Sequence, residues 1–205
     1  MTANSQPLSA GRIAFVILAL ALGGFAIGTT EFAAMSLLPF YAADFAITEP
    51  VAAHAVSAYA LGVVVGAPIL GLFGANWPRR RLLVVLMVLI ALGNAATVMA
   101  PGYYALLAFR FLSGLPHGAY FGVAALLAAS LMPERRAAAA SYVMAGLAVA
   151  TVIGAPLANW LGLTVGWRVV FGGVSGIALA TAAALQLLAP LQPAESGRSV
   201  RRELS

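Results

Sequence analysis

Residues 13–38 read IAFVILALALGGFAIGTTEFAAMSLL, and Glu31 is the only charged residue in this run. A helix that crosses a membrane needs about 20 consecutive, mostly apolar residues. The run follows a single basic residue, Arg12, and is longer than the apolar core of a cleavable signal peptide. The stretch therefore predicts a membrane-spanning helix that is retained in the mature protein.

Five further apolar blocks of spanning length follow, at about 51–74, 82–100, 103–131, 138–162 and 168–189. Of the 205 residues, 62% are hydrophobic and 8% are charged, whereas a soluble domain carries about 25% charged residues. This composition predicts an all-α membrane protein of six transmembrane helices whose surroundings are the lipid bilayer. We expect a cytoplasmic N-terminus at 1–12, a transmembrane bundle at 13–190 and a polar cytoplasmic linker or tail at 191–205.

The chain has few of the residues that form disulfides, metal sites or catalytic sites. The chain has no cysteine and two histidines, so we expect no disulfide framework, no metal site and no cofactor. The net charge of +5 comes from arginines that lie mostly between apolar blocks rather than on one surface, which argues against nucleic acid as a partner. The sequence contains no phosphate-binding loop and no convincing nucleophile with its base, so we do not expect an enzyme.

The arginines predict how the helices are oriented in the membrane. Nine of them fall on one side of a six-helix path: Arg12, Arg79, Arg80, Arg81, Arg135, Arg136, Arg198, Arg201 and Arg202. The other side carries Asp44, Glu49 and Arg168. Basic residues beside short loops are retained on the cytoplasmic side. We therefore expect a multi-pass protein of the cell (inner) membrane with both termini in the cytoplasm.

Glu31 and Arg110 are charged residues that remain well inside apolar blocks. A charge at mid-helix costs on the order of +2.5 to +3.5 kcal/mol on insertion scales, so a partner must offset it. Glu31 lies nine positions before Phe40, and Arg110 lies eight positions after Gly102, at helix ends on the same side of the membrane. With 1.5 Å of rise per residue, both lie roughly 12 to 14 Å below that surface. Equal depth would allow the two residues to pair.

Each of these charges shares a helix face with small residues. The faces are Gly24, Gly28, Glu31 and Met35 in the first helix, and Arg110, Gly114, His117 and Phe121 in the fourth. Each face is expected to meet a partner helix or a cavity. The charges then form either a buried ion pair that only fixes packing, or a carboxylate whose protonation is coupled to substrate. His117 either joins a proton relay or serves as a packing residue.

Prolines and asparagines interrupt the apolar blocks at a few positions. Pro68, Pro116 and Pro156 each remove a backbone hydrogen bond and are expected to kink their helices. Asn94 and Asn159 are polar enough either to line a cavity or to form hydrogen bonds between helices. Both interpretations of the asparagines remain open from the sequence.

Three segments resemble motifs of a known family. GTTEF at 28–32, followed by LLP at 37–39, is similar to a first-helix motif with a membrane-embedded acid, and RFLSGLPHG at 110–118 is similar to a fourth-helix motif. Gly154 and Pro156 resemble a Gly-Pro motif of antiporters, with one residue inserted between them. The family is the major facilitator superfamily, and specifically its drug:proton antiporter group, which includes arabinose, sugar, purine and drug efflux permeases. The resemblance implies a role in proton coupling for the arginine of the fourth helix.

Residues 71–80, GLFGANWPRR, occupy the place of this family's cytoplasmic loop motif, Gly-x-Leu-Ala-Asp-Arg-x-Gly-Arg-Arg. The motif is degenerate in this chain. Gly71, Arg79 and Arg80 are kept, while Ala75, Asn76 and Pro78 stand where the family has Asp, Arg and Gly. The resemblance therefore leaves two roles open for the arginines, a latch between two states or simple flanking of a membrane helix.

The resemblance also implies an architecture and a function. The six helices would form two three-helix inverted repeats, and substrate would bind near the midplane between two six-helix halves. The chain would then be the N-terminal half of a twelve-helix transporter that exports a small organic solute, a sugar, a purine or a drug, in exchange for protons. Its partner would be a second half or a second copy of itself. The alternative is a truncated membrane protein or assembly partner that does not transport, in which the two charges are structural.

Overall fold

The computed structural model describes residues 9–74 and 76–191, without the side chain of Phe73. This part of the chain contains six helical spans long and apolar enough to cross a membrane: Ala10–Ser36, Glu49–Leu72, Arg79–Val98, Tyr103–Leu131, Pro133–Thr164 and Trp167–Leu188. The prediction of six transmembrane helices is confirmed. Ala75 and the tail arginines Arg198, Arg201 and Arg202 lie outside the described residues.

Several of the spans are built from more than one helical segment. The first is α1 (Ala10–Ser36), followed by the short α2 (Leu38–Asp44). The second joins α3 (Glu49–Ala52) to α4 (His54–Gly74), and the third is α5 (Arg79–Val98). The fourth comprises α6 (Tyr103–Gly114) and α7 (His117–Leu131). The fifth runs from a 3₁₀ turn (Pro133–Arg135) through α8 (Arg136–Val149), a π-helical turn (Ala150–Gly154) and α9 (Ala155–Thr164), and the sixth is α10 (Trp167–Leu188).

Two of the three predicted proline kinks coincide with a break in regular α-helix. Pro116 lies between α6 and α7, and Pro156 follows the π-helical turn at the start of α9. A proline cannot donate to the carbonyl four residues earlier, and a wider turn ahead of it accommodates that loss. Pro68 differs, because α4 continues through it as one helix.

The helices pack as two three-helix inverted repeats. The first span lies along the fifth, α4 lies along the two helices of the fourth span, and α5 lies along α10. If helices one to three repeat as helices four to six, the contact of the first with the fifth corresponds to that of the fourth with the second. The contact between the third and sixth then corresponds to itself. The pattern of packing is therefore the one that the predicted repeat requires.

Charged side chains brace both ends of this bundle. At the end that we call the arginine-rich end, Arg12 Nε donates to the carbonyl of Leu188 at 3.1 Å, and Arg80 Nη1 donates to that of Ala189 at 3.3 Å. Both arginines thus cover carbonyls at the C-terminal end of α10, where cations are favoured.

At the opposite end, Arg168 pairs with Asp44. Its Nε donates to the carbonyl of Val98 at 3.0 Å, and its Nη2 donates to that of Ala100 at 3.2 Å. Gly166 allows the chain to enter α10 here, because its φ of 110° is one that residues with a Cβ rarely adopt. Arg168 thus ties α10 to the end of the third span.

Candidate functional site

Arg110 lies in α6 and is completely buried. Its Nη2 donates a hydrogen bond of 3.1 Å to the backbone carbonyl of Thr30 in the first span. Its guanidinium carbon lies 4.4 Å from the ring centroid of Tyr59 and 5.1 Å from that of Phe171. Aromatic faces attract a desolvated cation, so these rings offset part of the cost of burying the charge.

Glu31 follows Thr30 directly and is half-buried. Among the described residues, no side chain forms an ion pair or hydrogen bond with its carboxylate, although Arg110 and Tyr59 are close enough to interact with it electrostatically. The fourth span thus brings Arg110 to the level of Glu31, but the direct ion pair that equal depth would allow is not formed. The guanidinium is occupied instead by the neighbouring carbonyl and by two aromatic rings.

The site keeps unused hydrogen-bonding capacity around this cation. Within residues 9–74 and 76–191, the buried Nε and Nη1 of Arg110 have no hydrogen-bond partner, and neither has the hydroxyl of Tyr41. Buried polar atoms without partners are costly and therefore uncommon. Arg110 consequently has donors free for a further acceptor, and the nearby acceptors include the hydroxyl of Tyr41 and the carboxylate of Glu31.

His117, at the start of α7, reaches this site through a residue that the sequence analysis did not identify. Its Nδ1 lies 3.0 Å from the hydroxyl of Tyr59, the residue whose ring covers Arg110. His117 also contacts the ring of Phe121, at 5.3 Å between centroids. A tyrosine inside an apolar block was the available signal, because its hydroxyl needs a partner when it is buried.

The helix faces that carry the two charges and the small residues pack against other helices at their glycines. A Cβ added at Gly24 would lie 2.9 Å from the carbonyl oxygen of Val143, and one at Gly28 would lie 2.7 Å from the Cβ of Ala150, both in the fifth span. A Cβ at Gly114 would overlap the backbone carbonyl of Tyr59. The glycines of both faces therefore meet partner helices, whereas Met35 on the first face is exposed.

A second buried link connects the first and third spans beside the site. The hydroxyl of Thr30 bonds to Oδ1 of Asn94, and Nδ2 of Asn94 donates to the carbonyl of Ile90 at 2.8 Å. Asn94 is fully buried and so serves as a hydrogen-bonding residue between helices, while Asn159 is exposed. Thr30 is therefore held from both sides, by Asn94 through its side chain and by Arg110 through its carbonyl.

Gly154 and Pro156 differ in their surroundings. Gly154 is buried at the end of the π-helical turn, where an added Cβ would overlap Oγ1 of Thr29 in the first span. Pro156 is exposed two residues later. This segment of the fifth span thus adjoins the first span just before Glu31, and Gly154 permits the close approach.

The residues of the loop motif lie away from this site. Gly71 is exposed with no atom near the position of a Cβ, and Arg80 reaches the end of α10 as described above. Arg79 is half-buried and is also engaged in an interaction. The arginines of the motif therefore belong to the arginine-rich end, not to the cluster around Glu31.

The second and fifth spans are the least buried of the six. Large apolar side chains on them are exposed: Leu61, Val64, Leu72, Val152, Ile153, Leu157 and Trp160. These spans flank the first and fourth spans, which carry Glu31 and Arg110. The site therefore lies beside a broad apolar surface.

Comparison with known proteins gives matches along nearly the whole chain. The inner membrane transport protein YdhP of Escherichia coli (strain K12) is 40% identical over 195 residues, which are 95% of this chain and 50% of that protein. A chloramphenicol resistance protein of Streptomyces lividans is 34% identical over 157 residues, which are 76% of this chain and 40% of that protein. The chain thus spans about half the length of the curated relatives it matches.

Solved structures share the fold. A bacterial homolog of the human lysosomal transporter Spinster, inward-facing and unoccupied, aligns with a TM-score of 0.75 at 16% identity, over 97% of this chain and 48% of that one. A double Trp mutant of XylE aligns with a TM-score of 0.68 at 17% identity, over 94% and 48% of the two chains. The family model of the Major Facilitator Superfamily matches residues 20–204. The chain belongs to the Major Facilitator Superfamily.

Proposed function

We propose that this chain is the N-terminal six-helix half of a transporter that exports a small organic solute in exchange for protons. The observation that carries the proposal is the buried guanidinium of Arg110, held by the backbone carbonyl next to Glu31. Ionisable residues inside membrane spans commonly mark proton or substrate pathways. Relatives that include a chloramphenicol resistance protein support efflux of a drug, and a sugar or a purine is also compatible with the site.

Glu31 and Arg110 supply two arrangements of different charge. While Glu31 is ionised, its carboxylate attracts the guanidinium, whose Nε and Nη1 both have N–H groups without a hydrogen-bond partner among the described residues. When Glu31 binds a proton, that attraction ends and the guanidinium rests on the carbonyl of Thr30 and the rings of Tyr59 and Phe171. Loading and release of one proton would therefore move the guanidinium between the carboxylate in the first span and the rings in the second and sixth spans.

The exposed apolar surface of the second and fifth spans is the proposed contact with a second six-helix half. Its partner is either the other half of a protein twice this length, as in the relatives, or a second copy of the chain. Substrate would bind near the midplane between the halves. The arginine-rich end would face the cytoplasm, which places both termini there and the protein in the cell (inner) membrane.

The proposal is tested with inside-out membrane vesicles that contain two copies of the chain joined in tandem, so that a second six-helix half is present. A pH gradient with an acidic vesicle interior is imposed. Uptake of radiolabelled chloramphenicol, an aldopentose and a purine nucleoside is then followed. We expect uptake of at least one of these probes, abolished by a protonophore and absent from vesicles without the protein. Equal uptake with and without the gradient would overturn proton coupling.

A second candidate is a membrane protein that assembles but does not transport, in which the two charges are structural; the bond of Arg110 to the carbonyl of Thr30, without an ion pair to Glu31 in the described part of the chain, favours it. The chain has no cysteine, so one introduced by Val64→Cys on the exposed surface gives a single site for cross-linking. A cross-linked dimer with gradient-driven uptake supports the transporter. A monomer that moves none of the probes supports the non-transporting candidate only if the tandem form also moves none of them.

A further inference from the structure

Tyr59 contacts both Arg110 and His117 through its side chain. Its ring face lies 4.4 Å from the guanidinium carbon, and its hydroxyl lies 3.0 Å from Nδ1 of His117. We propose that Tyr59 is a positioning residue that holds Arg110 away from Glu31 and transmits the charge state of Glu31 to His117. This inference rests on the proposed function, because it assigns a role within the same proton-coupling site.

The backbone places Tyr59 opposite the face of α6 that carries Arg110. Gly114 lies four residues after Arg110 on the same face of α6, and His117 follows at the start of α7. A Cβ at Gly114 would overlap the carbonyl of Tyr59, and a Cβ at Gly62 would overlap the carbonyl of Phe111. The second span therefore lies directly against the fourth, between the two side chains that Tyr59 bridges.

Ionisable groups approach Tyr59 from three other elements. Glu31 faces it from the first span, Arg110 and His117 from the fourth, and Tyr41 lies beside Arg110 from α2. The sixth span contributes the uncharged ring of Phe171 on the guanidinium. Arg110 and Glu31 are thus the opposite charges next to Tyr59, and a change in the distance between them changes the electrostatic environment of the Tyr59 ring.

The two contacts of Tyr59 make the link mechanical as well as electrostatic. A guanidinium that moves toward an ionised Glu31 leaves the ring face, and the ring then loses the cation that fixes its orientation. The hydroxyl is attached to the same rigid ring, so its hydrogen bond to His117 changes with it. His117 would therefore respond to Glu31 without touching it.

The test reads His117 directly and does not depend on transport. The chain has two histidines, so ¹⁵N-histidine labelling of the full chain in lipid nanodiscs gives two imidazole spectra, and His54→Asn assigns them. Four proteins form a double-mutant cycle: the unaltered chain, Glu31→Gln, Tyr59→Phe and the double variant. Tyr59→Phe keeps the ring over Arg110 and removes only the hydroxyl. Tyr104→Phe, at a residue that is 82% exposed, is the matched control.

We expect Glu31→Gln to shift the His117 resonances in the unaltered background, and this shift to fall at least to half when Tyr59 is replaced by Phe. The His54 resonances and the Tyr104→Phe spectra should stay unchanged. An equal shift with and without the Tyr59 hydroxyl, or no shift at all, would overturn the inference. Loss of vesicle uptake alone leaves these resonances informative, so failure of the proposed function and failure of this link are distinguishable.

Tyr59→Phe can also disturb folding, and a second measurement then replaces it. ¹³Cζ-tyrosine labelling of the chain with Tyr59 intact reports on the hydroxyl itself. Glu31→Gln and His117→Gln should both shift the same tyrosine resonance. Tyr59 is assigned by elimination, with the other five tyrosines replaced by Phe one at a time. Shifts in two different tyrosines would contradict a shared link.

Discussion

Arg110 shows how a single charge persists inside this bundle. The guanidinium is completely buried, yet it receives one carbonyl, two aromatic faces and the electrostatic influence of a carboxylate that it does not touch. A direct buried ion pair would have to overcome the desolvation of both partners. Here the carboxylate of Glu31 stays half-buried, so only one charge is fully removed from solvent.

This asymmetry predicts different stabilities for variants at the two positions. Arg110→Ala should lower the free energy of unfolding by about 2 to 4 kcal/mol, because it leaves a cavity between three spans. Glu31→Gln, which breaks no direct contact, should change it by less than about 1 kcal/mol. Reversible unfolding in mixed micelles measures both, and Arg110→Met controls for volume without charge. Equal losses for Arg110→Ala and Glu31→Gln would contradict this account of the site.

The sequence predicts residue depth better than residue partners. Helix ends and a fixed rise place Glu31 and Arg110 at one level, and Arg110 does reach the residue next to Glu31. The roles of Tyr59 and Asn94 depend on how neighbouring helices are rotated about their axes, and that rotation is set by packing across the whole bundle. Periodicity within one helix contains no such information.

At the scale of the helices, close approach between the repeats depends on particular glycines. A Cβ at Gly146 would overlap the carbonyl of Ala21, and one at Gly62 would overlap that of Phe111. These contacts join the fifth span to the first and the second to the fourth. Backbone cannot yield as a flexible side chain does, so a methyl group at either position must push two helices apart.

Gly146→Ala and Gly62→Ala should therefore each destabilise the bundle, by about 1 to 3 kcal/mol. Gly173→Ala is the matched control, since no atom lies near its Cβ position and alanine is favoured over glycine in a helix by about 1 kcal/mol. Unfolding of the three variants under one set of conditions separates the effects. A loss at Gly173 as large as that at Gly146 would contradict close packing as the cause, because helix propensity alone predicts a gain at both positions.

Helix number and approximate bounds followed from apolar length, because the bilayer sets a minimum for every span. The breaks within the spans were harder to predict from the sequence. Pro116 and Pro156 both lie at interruptions, whereas α4 passes through Pro68 unbroken. A proline removes the same hydrogen bond in each case, and neighbouring helices decide whether the chain bends, widens into a π-helical turn or continues.

For the whole molecule, the distribution of arginines predicts sidedness. Arg135 is exposed at the arginine-rich end, and Tyr104 is exposed at the Asp44 end. Because the chain has no cysteine, Arg135→Cys and Tyr104→Cys each provide one thiol. In intact cells, a membrane-impermeant thiol reagent should label Tyr104→Cys, while Arg135→Cys should react only after the membrane is opened. The reverse pattern would invert the orientation.

The half-length bundle places both charges of the site in one chain, while the cavity for a solute would need a second half. The proposed proton-coupling residues therefore all lie in this chain, whereas the choice of solute would depend on surfaces that the proposed partner completes. The family and the fold could be predicted, because the motifs and the six apolar blocks are contained in this chain. The solute could not be predicted, because the shape of the proposed cavity would depend on a second half.

Replacement of Glu31 tests the central claim most directly, in the inside-out vesicles and with a solute that the unaltered chain takes up. Glu31→Gln keeps the shape of the side chain and removes its ionisation, and Glu134→Gln makes the same change at an exposed position. The account predicts that Glu31→Gln reduces gradient-driven uptake to background at unchanged abundance and thermal stability, while Glu134→Gln transports normally. Gradient-driven uptake by Glu31→Gln equal to that of the unaltered chain would contradict it.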